Sequence, residues 1–313
     1  MAVRKCLIVD PMHSSIFPML QNIGWEVDYQ PNITREEIRS RHQGSQGLIV
    51  RSKTTIDREL LGDNPTLKFI GRAGAGLDNL DLPYLEEKKI EVIHASEGNR
   101  DAVGEHALGL LLALVRNIVK ADHEVKNFSW LREPNRGIEI MGKTVGVVGY
   151  GNTGQAFARR LSGFGCNVLG YDKYKTNYSD AFCTESKMET LFETVDIISF
   201  HVPLTDETRM LVDINYLKRF KKPIILINTA RGEIVSLTAV VQGINEGIIR
   251  GAALDVLENE KLDKLTTSQI EAFKFLRERF DVIFTPHIAG WTFESHVKIN
   301  VALVQKISAL QLA

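Results

Sequence analysis

The stretch that decides the fold of this chain is residues 145–154, with the sequence VGVVGYGNTG. An apolar run that ends in the spacing Gly-x-Gly-x-x-Gly predicts a strand, a tight turn and the start of a helix. Glycine at 149 permits the turn, glycine at 151 lets the backbone approach a phosphate, and glycine at 154 lets the helix pack closely on the strand. Because the free N–H groups of the helix's first turn point at one spot, a pyrophosphate is favoured there. The stretch therefore predicts a dinucleotide-binding loop.

An acidic residue follows the next predicted strand at the spacing of a ribose contact. Asp172 lies just beyond the strand Asn167–Gly170 and eighteen positions after Gly154. A carboxylate there accepts hydrogen bonds from both ribose hydroxyls and repels a 2′-phosphate, which favours NAD over NADP. Lys173 and Lys175 keep NADP open. Another nucleoside ligand, such as a methyl donor, and a fold without a nucleotide are the alternative interpretations of the loop, and a solvated turn is the alternative for Asp172.

Short apolar runs alternate with helix-length segments on both sides of this loop, which predicts parallel sheets with crossover helices. After residue 140, the predicted strands of a doubly wound Rossmann sheet are Thr144–Val148, Asn167–Gly170, Asp196–Phe200, Ile224–Asn228, Gly251–Leu254 and Asp281–Thr285. In the first third, the predicted strands are Cys6–Val9, Gly47–Val50, Lys68–Ile70 and Glu91–Ile93. The predicted helices include Thr34–His42, Leu80–Lys89, a strongly apolar helix over Asp101–Val119 and a last helix over Thr292–Leu312. The predicted fold class is α/β, with two doubly wound parallel-sheet domains and a boundary near residue 97.

The composition is that of an ordinary globular protein, with 313 residues, 44% of them hydrophobic, and a net charge of −1. No run of one charge sign predicts a nucleic-acid or membrane partner. The longest apolar run, Ala107–Val115, is too short to cross a bilayer, which needs about 20 residues. Three cysteines without close spacing predict reduced thiols and no structural metal. We expect a cytoplasmic protein without a metal.

Polar residues follow directly after four of the predicted Rossmann strands. His201, the segment Thr229–Gly232, Asp255 and His287 occupy these positions. Because ligands of open α/β sheets bind at the carboxyl ends of the strands, we expect these residues to face one cleft.

Three of the side chains in this region match the needs of hydride transfer between an alcohol and a carbonyl. Such a reaction needs a general acid/base, for which His287 is the candidate, and Glu260 can orient its ring. The guanidinium of Arg231 can hold the carboxylate and ketone of a keto acid in a fork. Taken singly, a histidine of this kind is as often a structural group, and a lone Arg or Glu more often belongs to a surface ion pair. Their joint placement near the strand ends favours the catalytic interpretation.

The chain resembles the D-isomer-specific 2-hydroxyacid dehydrogenases over nearly its whole length. The motifs that carry the resemblance are GRAGAGLDN at 71–79, VGYGNTG at 148–154, HVPLT at 201–205, NTARG at 228–232, ALDV at 253–256 and TPHIAG at 285–290. The family implies that Arg231 binds the substrate carboxylate and carbonyl, that His287 is the acid/base and that Glu260 is its partner.

The resemblance also implies the residues that hold the ligands. For the NAD cofactor these are Gly149, Tyr150, Gly151, Asn152, Thr153, Gly154, Asp172, His201, Val202, Pro203, Thr229, Ala230, Asp255 and Ala289, with Asp255 at the nicotinamide end. For the small 2-hydroxy or 2-keto acid substrate they are Arg51, Ser52, Gly74, Ala75, Gly76 and Asn99. The family further implies a flavodoxin-like substrate domain, residues 1–97 and 291–313, with the NAD-binding Rossmann domain, residues 98–290, inserted into it. It implies a homodimer through the helix after residue 101.

The substrate prediction depends on the sequence RSKT at 51–54, which together with the 71–79 loop is most similar to the phosphoglycerate dehydrogenases. Two cations at positions 51 and 53 suit a phosphate, and a solvated strand end is the alternative interpretation. We expect D-3-phosphoglycerate as substrate, in serine biosynthesis, with glyoxylate or hydroxypyruvate reduction as the alternative. An NAD(H)-sensing corepressor is the alternative from another class, because the same fold serves both. The chain stops at Ala313, so we expect neither a C-terminal regulatory domain nor control by serine.

Three features depart from the family pattern. Lys261 replaces the proline that usually follows the glutamate, and residues 266–280 form a predicted helical insert. Trp291, close after His287, either narrows the substrate pocket or is a hydrophobic anchor between domains.

Overall fold

The computed structural model describes residues 4–310, and the chain divides into two compact units. The first unit is Met1–Arg100 with Trp291–Ala313, of which residues 4–100 and 291–310 are described, and the second is Asp101–Gly290. Sequence analysis placed the boundaries after residues 97 and 290, and the units divide after residues 100 and 290.

The strands of the described chain are, in order, β1 Arg4–Ile8, β2 Trp25–Tyr29, β3 Gly47–Val50, β4 Phe69–Arg72, β5 Glu91–His94, β6 Thr144–Val148, β7 Asn167–Tyr171, β8 Thr184–Glu185, β9 Ile197–Phe200, β10 Ile224–Asn228, β11 Ile249–Leu254 and β12 Val282–Phe284. The α-helices are α1 Ile16–Asn22, α2 Arg35–Arg41, α3 Arg58–Leu61, α4 Leu82–Glu87, α5 Arg100–Val115, α6 Ile118–Lys126, α7 Asn152–Leu161, α8 Met188–Thr194, α9 Ile214–Leu217, α10 Leu237–Asn245, α11 Thr267–Arg277 and α12 Phe293–Ala309.

The sheet of the first unit has the strand order β2-β1-β3-β4-β5, and each neighbouring pair is parallel. This is the flavodoxin-like order. Helix α12 follows the second unit in the chain, yet it packs here: Ile299, Leu303 and Ile307 share one core with Cys6 and Ile8. The first unit is therefore completed by a helix that lies almost 200 residues beyond its last strand.

The sheet of the second unit has the order β12-β11-β10-β9-β6-β7-β8, again with parallel pairs throughout. It is a Rossmann sheet with β12 as a further strand, and its crossover direction reverses between β6 and β9, where such sheets bind ligands. Helix α5 packs against it, with Ala107 and Leu111 in one core with Val145 and Ile225. The two sheets confirm the predicted fold class.

The predicted secondary structure differs from the structure in three places: strands β2 and β8 were not predicted, and one predicted helix is two helices. Strand β2 was missed because an edge strand alternates polar and apolar residues, unlike the continuous apolar runs of central strands. Its Asp28 is buried and accepts hydrogen bonds from the Arg41 guanidinium at 2.6 and 3.0 Å. The single helix predicted over 101–119 is two helices, because Asn117 adopts a left-handed conformation (φ 54°) between α5 and α6.

Among the described residues, no single helix has the length and hydropathy to span a membrane. Helices α5 and α6 pass the same test only when taken together, and they are bent by 61° at their junction.

Two glycines on α5 give a matched test of how closely this helix packs on α7. A Cβ added to Gly104 would lie 2.8 Å from the backbone carbon of Ala156, whereas one added to Gly109 would meet nothing within 4 Å. We expect Gly104→Ala to lower the free energy of unfolding by about 1–3 kcal/mol, because the backbone of α7 cannot move aside to make room for the added methyl group. Gly109→Ala should raise it by about 0.5–1 kcal/mol, because alanine loses less backbone entropy in a helix. Urea unfolding of both variants measures the difference, and equal stabilities would contradict the packing argument.

Candidate functional site

The predicted site residues of the second unit lie along one edge of its sheet. Because all the strands are parallel, their carboxyl ends share that edge. In spatial order from β12 to β7, the residues that follow the strands there are His287, Asp255, Arg231, His201, Gly149 and Asp172. Residues that are spread over more than 130 positions of the sequence therefore lie along the same edge of the sheet.

The three glycines of the loop after β6 meet different surroundings. Gly149 has φ 94°, and a Cβ on it would lie 2.7 Å from the carbonyl oxygen of His201. A Cβ on Gly154 would lie 2.1 Å from the carbonyl oxygen of Gly149, so packing of α7 on the loop requires glycine. A Cβ on Gly151 would meet nothing within 4 Å. The loop thus leaves open space at Gly151, which precedes the first residue of α7, Asn152, and this space fits a pyrophosphate.

Asp172 ties the end of β7 to this loop. Its carboxylate accepts hydrogen bonds from the backbone N–H groups of Tyr150 and Tyr174, each at 3.0 Å. Of the two lysines that left NADP open, Lys175 donates to the Tyr150 carbonyl oxygen at 2.8 Å and Lys173 pairs with Glu207 at 2.7 Å. The carboxylate is therefore held at the strand end where a ribose would lie.

The side chain of Tyr150 is buried in the core of the second unit. Its hydroxyl donates to Asp180 at 2.8 Å, and its ring lies 5.3 Å from that of Tyr178. Only the backbone of Tyr150 is therefore positioned to contribute to the predicted cofactor site.

His201 is a buried, neutral imidazole at the end of β9. Burial lowers the pKa of His201 to about 3, and its Nε2 lies 2.9 Å from the Ser199 hydroxyl. Its Nδ1 and the hydroxyl of Thr229, at the end of the adjacent β10, are buried polar atoms without a hydrogen-bond partner in the described chain. Buried polar groups are normally paired, so these two atoms fit a polar ligand at the strand ends. The neighbouring Val202 is partly buried against the core, and the Pro203 carbonyl oxygen accepts from Thr208 at 2.7 Å.

The buried carboxylate of Asp255 holds the loop that carries His287. It accepts hydrogen bonds from the Thr285 hydroxyl at 2.6 Å and from the N–H groups of Ile288 and Ala289, both at 2.9 Å. Burial alone would raise the pKa of Asp255, but the hydrogen bonds from His106, Thr285 and the loop backbone outweigh it and hold the pKa below its usual value. The structure thus shows Asp255 as an anchor of this loop, and its predicted contact with the nicotinamide stays a prediction.

His287 and Glu260 are in direct contact, with 2.8 Å between Nδ1 of the ring and Oε1 of the carboxylate. The side chains are 45% and 49% exposed. His287 has a left-handed backbone (φ 55°), a strained conformation for a residue other than glycine, and its N–H donates to the Asp255 carbonyl oxygen at 2.7 Å. The structure brings together the two residues that the sequence and the family resemblance paired, despite Lys261 and the helical insert.

Arg231 follows β10 on a turn that Asn228 organises. The Asn228 amide donates to the Arg231 carbonyl oxygen at 2.9 Å and accepts from the N–H of Ala230 at 3.0 Å. The guanidinium donates to the Ala230 carbonyl oxygen at 2.7 Å, and the side chain is partly exposed.

In the first unit, the predicted substrate residues follow β3, β4 and β5. The N–H of Arg51 donates to Asp10, and its guanidinium lies 4.3 Å from the centre of the Trp291 ring. Burial lowers the pKa of Arg51, and the charge of Asp10 opposes that shift. The side chain of Trp291 is 58% exposed. Its contacts with Arg51 and with the ring of His296, at 4.8 Å, favour the interpretation that it shapes the surroundings of the substrate residues.

The loop after β4 and the segment after β5 complete this set. Gly74 has φ 155°, and a Cβ on it would lie 2.4 Å from Arg72 Nη1, so the close approach of that side chain requires glycine. Ala75, Gly76 and Ser52 are partly or fully exposed, and the amide oxygen of Asn99 is buried without a hydrogen-bond partner in the described part of the chain.

Three residues that support these sites were not predicted from the sequence. His106 on α5 lies 3.1 Å from Thr285 and 3.5 Å from Asp255. The side-chain amide of Asn79 donates to the Arg51 and Thr54 carbonyl oxygens at 2.9 and 2.6 Å. Asp10 is a polar residue after an apolar strand sequence, and the same pattern predicted the strand-end residues of the Rossmann sheet. This pattern could therefore have identified Asp10. Residues 4–310 contain no group of three or more His, Cys, Asp or Glu side chains arranged to hold a metal ion.

Comparisons with known proteins agree with this arrangement. Residues 108–289 match the family model described as "D-isomer specific 2-hydroxyacid dehydrogenase, NAD binding domain". A D-3-phosphoglycerate dehydrogenase of Methanocaldococcus jannaschii is 35% identical over 97% of this chain and 56% of that protein. A hydroxypyruvate reductase of Thermotoga maritima is 33% identical over 98% of each chain. A D-lactate dehydrogenase of Aquifex aeolicus, solved with NAD and lactic acid, is 27% identical with a TM-score of 0.81, over 98% of this chain and 95% of that one.

The chain belongs to the D-isomer-specific 2-hydroxyacid dehydrogenase family, which confirms the predicted family, and the matched domain confirms NAD as the cofactor. The chain spans 56% of the length of the curated phosphoglycerate dehydrogenase from M. jannaschii.

The buried His201 predicts a loss of stability in acid. Between pH 6.5 and 3 the unfolded chain protonates this histidine while the folded protein does not, so the free energy of unfolding falls as pH falls. His201→Gln keeps a hydrogen-bonding group near Ser199 and removes the titration. Between pH 7 and 4.5 the wild type should lose about 2–3 kcal/mol more than this variant in urea unfolding. His123→Gln, at an exposed histidine, should keep the wild-type slope, and a wild-type slope in His201→Gln would disprove the assignment.

Proposed function

We propose that this chain is an NAD-dependent dehydrogenase that interconverts a small D-2-hydroxy acid and its 2-keto acid. The observation that carries the proposal is the 2.8 Å contact between His287 and Glu260, at the carboxyl end of a sheet whose domain belongs to an NAD-binding family. Hydride transfer to a ketone needs a proton donor beside a nicotinamide site, and this pair supplies one.

In the proposed mechanism, His287 exchanges the proton of the substrate hydroxyl. Glu260 accepts from Nδ1 and fixes the ring, so that Nε2 is the nitrogen that faces the substrate. In the oxidation direction Nε2 removes the hydroxyl proton, and in the reduction direction it returns one to the carbonyl oxygen. The Asp255 carboxylate keeps the histidine loop in place through three hydrogen bonds.

Arg231 supplies the positive charge in this proposal. Its guanidinium binds the substrate carboxylate and the carbonyl oxygen, which becomes more negative as the ketone is polarised. The loop after β6 and Asp172 would hold the pyrophosphate and the ribose of NAD, and the buried polar atoms of His201 and Thr229 would offer it hydrogen bonds. Bound at these residues, NAD would supply the hydride acceptor for oxidation of the hydroxyl-bearing carbon, and NADH the hydride donor for the reverse reaction.

For the substrate we propose D-3-phosphoglycerate. Seven of the relatives compared are named D-3-phosphoglycerate dehydrogenase, and the one from M. jannaschii aligns over 97% of this chain. Arg51, anchored through its N–H to Asp10 and stacked on Trp291, carries the charge that would bind the phosphate. Ser52, Asn99 and the 74–76 loop would bind the rest of the acid.

Reduction of hydroxypyruvate is the second candidate. It is favoured by the relative from T. maritima, a hydroxypyruvate reductase whose whole length this chain nearly covers. The predicted homodimer and the cytoplasmic location stay predictions. The dimer is supported by apolar side chains exposed on α6 and the segment after it, among them Ile118, Phe128 and Trp130.

Replacement of His287 tests the mechanism. His287→Ala should lower kcat by about 10²–10⁴, because the proton has no donor in the variant. NADH consumption is measured with phosphohydroxypyruvate, hydroxypyruvate and glyoxylate, and NADH binding by fluorescence titration is the control for an intact cofactor site. A near-normal kcat in the variant would refute the mechanism. Wild-type protein that binds NADH and reduces none of the acids would favour the sensing protein instead.

Replacement of Arg51 tests the substrate. Arg51→Ala should reduce kcat/KM for phosphohydroxypyruvate by about 10²-fold, because a charge-assisted contact is lost, and should change kcat/KM for hydroxypyruvate and glyoxylate much less. Lys53→Ala is the comparison variant, because Lys53 is the second cation that the sequence assigned to the phosphate. Both side chains donate to a backbone carbonyl oxygen at 3.3 Å, Arg51 to Pro11 and Lys53 to Pro31, and of the two Arg51 also stacks on Trp291. We expect Lys53→Ala to lower kcat/KM for phosphohydroxypyruvate much less than Arg51→Ala does. Equal losses on all three acids would exclude a phosphate-binding role for Arg51.

A further inference from the structure

The loop that carries Glu260 is tied to two helices through the preceding acid, Glu258. One carboxylate oxygen of Glu258 accepts a hydrogen bond from the N–H of Leu237, the first residue of α10. The other accepts from the side-chain amide of Gln269 on α11 at 3.0 Å. Both oxygens are thus occupied by groups from elements outside the loop.

Gln269 is itself fixed at the start of α11. Its amide oxygen accepts from the N–H of Thr266 at 3.0 Å, and the Thr266 hydroxyl accepts from its N–H at 3.3 Å. This capping box leaves the amide nitrogen of Gln269 pointed toward Glu258. The Glu258 carboxylate also lies at the N-terminal end of α10, the end of a helix at which acidic side chains are favourable.

The backbone before Glu258 is in contact with the turn after Arg231. A Cβ on Gly232 would lie 1.8 Å from the Leu257 carbonyl oxygen, so the two backbones pack without room for a side chain. Beyond Glu258, the Asn259 amide accepts from the N–H of Lys261 at 3.0 Å and donates to the Lys264 carbonyl oxygen at 2.9 Å. Glu260 therefore stands, half exposed, on a loop that is fixed on both sides.

We propose that Glu258 is a positioning residue for the reaction, because it fixes the Glu260 loop against α10 and α11 and so keeps Glu260 in contact with His287. This inference rests on the proposed function of the Glu260 and His287 pair. Glu258 does not touch the histidine in this scheme; it acts through Glu260. Its loss lets the loop move, and the ring of His287 is then oriented in a smaller fraction of molecules.

The role through Glu260 is tested by a double-mutant cycle. Glu258→Ala should lower kcat by about tenfold, within the range that misplaced catalytic groups show, and leave the Kd for NADH unchanged. In the Glu260→Ala background, Glu258→Ala should cause no further loss of kcat, because the residue that it positions is absent. Additive losses, or a normal kcat in Glu258→Ala, would overturn the proposal. Glu271→Ala, which removes an exposed carboxylate from the same helix α11, is the control and should keep the wild-type kcat.

An exchange of the two side chains separates positioning from general damage to the fold. Glu258→Gln and Gln269→Glu should each lower kcat. Glu258→Gln places two side-chain amides opposite each other, and Gln269→Glu places two carboxylates opposite each other. The double variant restores one donor and one acceptor, and its kcat should recover to within about threefold of wild type. Absence of recovery in a folded double variant would count against the proposal.

Amide hydrogen exchange tests whether Glu258 fixes the Glu260 loop, and it does so independently of turnover. Glu258→Ala should speed amide exchange in residues 257–264, and Glu271→Ala should not. If the wild type reduces no keto acid, the proposed function fails, but the exchange rates still decide whether Glu258 fixes the loop. If the wild type is active and Glu260→Ala lowers kcat, but exchange in the loop is unchanged in Glu258→Ala, only the present inference fails.

Discussion

The buried carboxylate of Asp255 is the interaction on which the candidate active site depends. An ionised acid in the interior is costly unless donors surround it, and here Thr285, the N–H groups of Ile288 and Ala289, and the nearby His106 do so. Its own N–H donates to the Asn228 carbonyl oxygen at 3.0 Å. One residue therefore joins the ends of β10, β11 and β12. These hydrogen bonds also fix the backbone on both sides of His287, which keeps its strained conformation in place.

Much of the fold was predictable because its central strands are covered on both faces. Runs such as Ile224–Asn228 contain little but buried aliphatic residues, and the glycine spacing after β6 fixes the nature of the turn. Strand β2 and the break at Asn117 were not predictable in the same way. The first alternates polar and apolar residues at a sheet edge, and the second depends on a single residue that tolerates a left-handed backbone.

The strand-end residues of the site were predictable, whereas the residues that support them were not. His287 and Arg231 each lie three residues beyond the end of a strand with an apolar sequence, so their sequence context indicates their place on the sheet edge. His106 is separated from Thr285 by 179 positions, and nothing in the apolar sequence of α5 indicates what it faces. Glu258 is similar, because its partners Leu237 and Gln269 are known only once the helices are packed. Local patterns reveal the ends of strands, but contacts between distant elements need the fold.

The insertion of the second unit between β5 and α12 has a consequence for the order in which the chain can fold on the ribosome. Every strand of the Rossmann sheet has been synthesised once residue 284 is added, and the core around Val145 and Ile225 contains no later residue. The core around Cys6 and Ile8 lacks Ile299, Leu303 and Ile307 until α12 has been made. The segment translated first is thus the last to acquire its full interior, because its apolar residues lack these packing partners until α12 has been synthesised.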